Sequence, residues 1–384
     1  MAAYQFARKY LETRLDNSKE RFKQIRDEIK KGREALQKEA LKGLRERLPG
    51  NLPEENVKLF VQEGWLPPIP IPIDAVKISQ AKDPSIAIPV PTRGLPLRKV
   101  GKYENYASAI GELDKPDKFE NNYHYRLLDI REANLTFSEK SYRYFDKINY
   151  GEMLLYDFAS LKNKNASVSD CLTRDRWYEV KQPKDYVILA GVNTLTLLHA
   201  GDHMRILMHF RKPKTNAYAS GTHHVIPAGE FQPSCQAPAS FKDDFDLWKC
   251  MMREYAEEIG CMDEYDGNNT IPFDYSSQPF LALEEEKAKK NIQPFYLGTG
   301  LDPATMQAEI MTVAVFREET FNRIFPAIKT ENAEGSIITA RNRWGLPFTR
   351  EQLNSYTEEN TLSSGQSILN LAWAHRKMFE NCFI

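Results

Sequence analysis

The 384-residue chain is short of cysteine, of net charge and of long apolar runs. Its five cysteines (Cys171, Cys235, Cys250, Cys261 and Cys382) are odd in number, scattered, and nowhere spaced as Cys-x-x-Cys. That argues against a disulfide framework or a zinc site and for a reducing compartment. A formal net charge of −1 leaves no global field to recruit nucleic acid or an anionic membrane surface. The most apolar run, Tyr186–Leu198, is interrupted by Asn193 and two threonines and is too short to span a bilayer. The N-terminus is charged and polar, without the apolar centre of a signal peptide. A cytoplasmic protein that binds neither membrane nor nucleic acid is expected. No Ser-His-Asp set, local Cys-His signature or phosphate-cradling glycine loop is visible. The seven histidines form no convincing metal set.

What is present divides the chain. Residues 3–48 carry a nearly uninterrupted helical pattern, weakened at Gly32 and Gly43 and stopped at Pro49-Gly50. Lys and Arg number 14 there against 8 Asp and Glu, so this arm is +6 and the remainder −7. Leu11, Leu15, Phe22, Ile25, Ile29 and Leu36 make a thin, broken stripe, which suits either packing along the chain's own body or a homo-oligomer contact. Residues 53–100 are proline-rich, with Pro67-Pro68-Ile69-Pro70-Ile71-Pro72 at their centre, and read as extended chain lying on an apolar surface. Three strand-like runs follow at Tyr123–Ile130, Asn134–Phe137 and Tyr142–Phe145, then a helix at Tyr150–Leu161 and a polar linker at 162–169. The expected organisation is a helical arm (1–50), a proline-rich segment (51–115), a small α+β unit (116–170) and a larger domain (171–384).

The larger domain holds the stretch where residue types and spacing spell chemistry: Arg253-Glu254-Tyr255-Ala256-Glu257-Glu258-Ile259-Gly260. On an α-helix Glu254 is one turn from Glu257 and Glu258, so the three carboxylates share one side. Phe245, Trp248, Met252, Tyr255 and Ile259 recur at the intervals of a buried stripe well away from them. Crowded carboxylates beside a buried stripe suit a hard divalent cation, which takes oxygen ligands and completes its shell with substrate phosphate. Ser240 and Asp243 suggest a capping box, and Gly260 a helix stop. The bland alternative is a solvated charged face.

This octet resembles the second half of the Nudix box, and His224-Val225-Ile226-Pro227-Ala228-Gly229-Glu230 resembles the strand that precedes it. The first half departs. Phe245 stands where the family places a Glu, and Gly229 lies some ten residues too far upstream, so an insertion rich in turn formers (Pro233, Ser234, Pro238, Ser240) is expected to form a loop that shapes substrate access. Asp246 is the candidate to replace the missing Glu. The resemblance implies an α+β fold with a Nudix-like α/β/α sandwich in the C-terminal half. It implies hydrolysis of a pyrophosphate bond in a nucleoside diphosphate linked to another moiety, with Mg2+ or Mn2+ as cofactor. Glu254, Glu257 and Glu258 would hold the metal, with Glu230 as an outer ligand. Arg253 would orient a carboxylate, Glu257 or Asp246, and Glu334 (with Glu331 nearby) would supply a late-loop base. Gly229, His224 and Arg205 would face the nucleotide-type substrate. The rival reading is a Nudix-fold module that senses a nucleotide without cleaving it.

Overall fold

The interrupted apolar run forms the strand on which the rest is assembled. In the computed structural model, residues 2–47, 56–84, 95–96, 102–117, 119–162, 183–211, 221–260, 262, 271–326, 328, 335–340, 343–357 and 361–383 are described. Their strands include β1 (Ile71–Pro72), β2 (Lys77–Ala81), β3 (Tyr123–Arg131), β4 (Asn134–Arg143), β5 (Ile188–Ala200), β6 (His203–Ile206), β7 (Met208–Arg211), β8 (His223–Val225), β9 (Ala228–Glu230), β10 (Ile292–Leu301) and β11 (Ala308–Arg317), with four short strands after them between Gly335 and Pro347. One sheet runs β1-β10-β11-β5-β3-β4-β2, with β6 and β9 pairing further along β5. β11 lies parallel to β5 while β3, β6 and β9 lie antiparallel to it. The expected small unit at 116–170 therefore shares its sheet with the larger domain through the pairing of Arg126 with Leu189. The expected linker, 162–169, lies outside the described residues apart from Lys162, the last residue of the helix Met153–Lys162.

Both faces of β5 are covered, and the alternation of side chains shows by what. Thr196 bonds the Tyr255 hydroxyl at 2.8 Å, and Tyr255 meets Phe316 of β11 at 5.2 Å between ring centroids. On that face lie the helix that carries the octet and the helix Glu318–Ile324, through Phe321. The odd-numbered residues Gly191 and Asn193 look the other way, toward the helical arm and its neighbours. Helices and strands thus mix in one unit with helices on both faces of the sheet. No helix among the described residues is long and apolar enough to cross a membrane.

The arm is α1 (Ala2–Arg47), with a break in helical geometry at Gly32. It packs on α2 (Tyr106–Leu113), α3 (Tyr144–Lys147), the π-turn Ile148–Glu152 and α4 (Met153–Lys162). Phe22, Ile25, Ile29 and Leu36 are buried in that layer, with Phe22 5.8 Å from Tyr106 and 5.1 Å from Tyr156. The stripe therefore lies against the chain's own body; self-association stays a proposal. The arm's positive charge meets the body's carboxylates: Arg26 with Asp114 at 2.7 Å, Lys30 with Asp114 at 2.8 Å, and Arg33 with Glu152 at 2.6 Å. In the proline-rich segment Trp65 and Ile73 are buried and β1 pairs with β10, leaving Ile69 64% exposed.

Arg33 and Glu152 are both buried. Removing one partner of a buried ion pair leaves an uncompensated charge, whereas removing both is far milder. Arg33→Met is expected to destabilise the protein by roughly 3 kcal/mol in urea denaturation, and adding Glu152→Met should recover most of the loss. Equal losses in the single and double variants would mean the pair acts through shape, not charge.

Candidate functional site

The octet begins on an α-helix and ends on a π-turn. α5 (Pro238–Asp243) is a short separate helix; α6 (Leu247–Glu254) starts at Asp246, whose side chain accepts the Lys249 N–H at 2.8 Å. The expected capping box at Ser240 and Asp243 is thus displaced to Asp246, which is committed as a cap. From Tyr255 to Ile259 the bonding widens to a π-turn, with Gly260 N–H donating to Tyr255 O at 2.9 Å. One extra residue in the turn rotates Glu257 and Glu258 relative to Glu254. The apolar stripe is buried as its period predicts, at Trp248, Met252, Tyr255 and Ile259.

Strand β9 brings the two halves of the motif together. Gly229 presents its missing side chain to α6: a Cβ there would overlap the carboxylate of Glu254. Glu258, buried, accepts the Ala228 N–H at 3.1 Å and lies 3.9 Å from Arg211. Glu254 and Glu257 are half-buried. Arg253 does not pair with Glu257 or Asp246. It donates to Gln232 O at 2.7 Å and to the Tyr275 hydroxyl, and lies 3.6 Å from Asp244. Tyr275 in turn donates to Asp244 at 2.6 Å. Asp244, in the turn before α6, therefore takes the place expected of Asp246. The stretch 231–240 is partly packed: Phe231, Ser234, Cys235 and Ser240 are buried, and Ser234 donates to Asp244, while Gln236, Pro238 and Ala239 are exposed. Among the described residues no three His, Cys, Asp or Glu side chains are grouped so as to hold a metal ion.

Three expected site residues fall elsewhere. Glu230 follows Gly229 in β9 and so points to the opposite face, where its partners are Lys147 and, at 3.5 Å, His124. It cannot be an outer ligand for a metal held by the helix face. His224 is buried on that same far side; its Nε2 lies 2.8 Å from Asn193 Oδ1, while Asn193 Nδ2 donates to Glu309 at 2.6 Å. With Oδ1 accepting, His224 must carry its proton on Nε2. Burial, with Arg211 and His209, holds its pKa well below the usual histidine range, so it is neutral. Arg205 pairs with Leu198, seven positions along β5 from Gly191, or about 23 Å at strand spacing. There it lines a separate cleft of about 1150 Å3 with His199, His203 and Phe348, and is held by Glu318. Glu331 and Glu334 lie outside the described residues.

Sequence reasoning missed the far-face cluster. Glu230, Gly191 and Glu309 form one row across β9, β5 and β11, and Lys147 reaches it from α3. Burial alone would raise the Glu230 carboxyl, but Lys147 and His124 outweigh it and bring it down to about 2. Burial likewise works against the Lys147 ammonium, and Glu230 and Glu309 reverse that, holding it charged. Glu309 goes the other way: burial, opposed by Lys147, pushes it up to about 7. The available signals were a carboxylate in an otherwise apolar strand (Glu309) and an amide interrupting an apolar run (Asn193). Nothing marked Lys147.

Solved structures similar to this chain include two Nudix-type proteins. One is a MutT/nudix family protein from Enterococcus faecalis, 13% identical, with a TM-score of 0.29 over 59% of this chain and 74% of that one. The other is a NUDIX hydrolase from Alicyclobacillus acidocaldarius, 15% identical, with a TM-score of 0.28 over 47% of this chain and 89% of that one. Superpositions this loose carry no argument about activity. No family model matches the chain, and no curated protein matches it.

A carboxyl whose pKa is raised by folding binds its proton more tightly in the folded state. Its contribution to stability is therefore present at low pH and is lost as pH rises from the ordinary 4.5 through about 7. Glu309→Gln cannot ionise. Subtracting the parent's stability from the variant's cancels His224 and every other shared group. That difference is expected to grow by up to roughly 3 kcal/mol between acid and mildly alkaline pH, read by urea denaturation across a pH series. A difference independent of pH would remove Glu309 as a titrating group.

Proposed function

We propose that the face formed by Gly229 and the Glu254–Glu258 segment binds a nucleoside diphosphate linked to another moiety. The reaction there is cleavage of its pyrophosphate bond, dependent on Mg2+ or Mn2+. The observation that supports this reading is the seating of Glu254 on Gly229, which brings the matched second half of the box against the strand glycine despite the interrupted stretch between them. A diphosphate beside several carboxylates is repelled unless a cation lies between them, so the divalent-ion requirement is the point to measure. As placed, the carboxylates do not form a metal shell. This reading assigns the half-buried Glu254 and Glu257 to the ligand, while the buried Glu258 accepts the Ala228 N–H and lies beside Arg211. Arg253 acts indirectly, fixing the segment through Gln232, Tyr275 and Asp244. The engagement of Glu258 by the chain's own N–H favours the second reading, a module that binds such a nucleotide without turning it over.

A panel of nucleoside diphosphate derivatives, with and without Mg2+ or Mn2+, separates the readings. Metal-dependent turnover supports the first, saturable binding without turnover the second, and neither behaviour overturns both. Glu257→Gln keeps size and hydrogen bonding but removes the charge; turnover is expected to fall by about two orders of magnitude or more with folding stability unchanged. Gly229→Ala displaces only the end of the Glu254 side chain, so it should cost no more than about 1 kcal/mol of stability while lowering turnover comparably. Parent-like turnover in both variants would leave the cluster as a solvated face.

A further inference from the structure

The far face of β9 holds a site the Nudix-like reading does not use. Glu230 and Glu309 are neighbours across Gly191, and both belong to a layer closed by α1, α3 and the π-turn after it. Glu309 is buried and Glu230 half-buried, and neighbouring carboxylates so placed need a cation or a proton between them. In many proteins that cation is a metal ion; here an ammonium arrives from the helical layer. Lys147, itself buried, contacts Glu230 directly and acts on Glu309 and Glu152 as well. His124, also buried, turns Nε2 toward Glu230 at 3.5 Å, and neither that nitrogen nor the facing Glu230 oxygen makes a hydrogen bond. The Glu230 side chain is 28% exposed.

We infer that this row is a cation site whose resident cation is Lys147, so that the helical layer completes the sheet's charge in place of a divalent ion. The inference is independent of the proposed hydrolase, because it concerns the opposite side of the sheet from Glu254 and Glu257. Lys147 stands at the end of α3, directly before the π-turn that carries Glu152, and Glu152 pairs with Arg33 of α1. The positive charge therefore reaches the sheet only when the arm and its partners are docked. Charge compensation of the row and assembly of the two layers are one event.

The test uses the full chain and Mn2+, whose bound ions can be counted by electron paramagnetic resonance. Lys147→Ala removes the ammonium and leaves room for a hydrated ion. It is expected to lower the melting midpoint by about 5–10 °C in metal-free buffer, to bind one Mn2+ per chain more than the parent, and to regain part of its midpoint when Mn2+ is added. Adding Glu230→Gln to Lys147→Ala should remove the extra Mn2+ and most of the melting deficit, while Lys147→Arg should behave like the parent. If Lys147→Ala fails to fold, a folded Lys147→Ala/Glu230→Gln protein supports the inference; failure of both overturns it, because Lys147 then acts through packing alone. Folded Lys147→Ala that binds no more Mn2+ than the parent, or keeps its deficit with Glu230→Gln, also overturns it.

Discussion

β5 is buried along nearly its whole length on both faces, so every polar side chain on it must be satisfied by another part of the chain. An unmet buried donor or acceptor costs about 1–3 kcal/mol, enough to fix what packs where. Thr194 bonds Thr312 at 2.8 Å, and Thr196 bonds both Ile226 O and the Tyr255 hydroxyl. Asn193 bonds His224 and Glu309. Through three side chains on one strand, the register of β11, the seat of β8 and the rotation of the octet's helix are all set together. A slip of β5 by one residue would turn these groups to the wrong faces.

The two faces of the strand then do different work. One face carries the octet, with two half-buried carboxylates at its edge and Arg253 tied behind them to Gln232, Tyr275 and Asp244. The other carries a closed set of charges shared between sheet and helical layer. Their electrostatics differ accordingly. At the edge, water screens like charges, and a crowded set of carboxylates is tolerable. Inside, the same carboxylates are tolerable only because Lys147 meets one of them and the raised pKa of Glu309 relieves the other.

What was legible in the sequence was whatever rests on a period or a local motif. The buried stripe at Trp248, Met252, Tyr255 and Ile259 follows from helical spacing, and the strands that begin at Tyr123 and Asn134 from their runs of β-formers. The seating of Glu254 on Gly229 was not legible, because no local rule joins residues separated by so long a stretch. The π-turn left no mark, since the residues of Tyr255–Ile259 suit an α-helix equally well. The resemblance implied that Arg253 would orient Glu257 or Asp246. Asp246 instead caps the helix and Glu257 sits beyond the start of the widened turn, which leaves the buried Asp244 as its acid. The turn formers at 233–240 suggested a loop that shapes substrate access, and nothing in their spacing showed that Cys235 and the neighbouring Phe231 are buried. Lys147 was invisible because a lysine that pairs inside looks, in sequence, like one that faces water.

The strand β9 shows how strongly these charges constrain one another. It is only three residues long, too short for its own hydrogen bonds to choose between registers, and a shift by one would exchange the faces of Gly229 and Glu230. In the shifted register Glu230 would stand on the helix side beside Glu254, where like charges repel, and its bulk would meet the carboxylate that a glycine now admits. Lys147 would face a glycine and lose its nearest counter-charge inside the protein, while the Ala228 N–H would no longer be aimed at Glu258. All of these penalties point the same way. The carboxylates on one side and the ammonium on the other therefore hold the strand in the only register that satisfies both. That is how a motif of eight residues and a single buried lysine, on opposite faces of the sheet, come to depend on the same short strand.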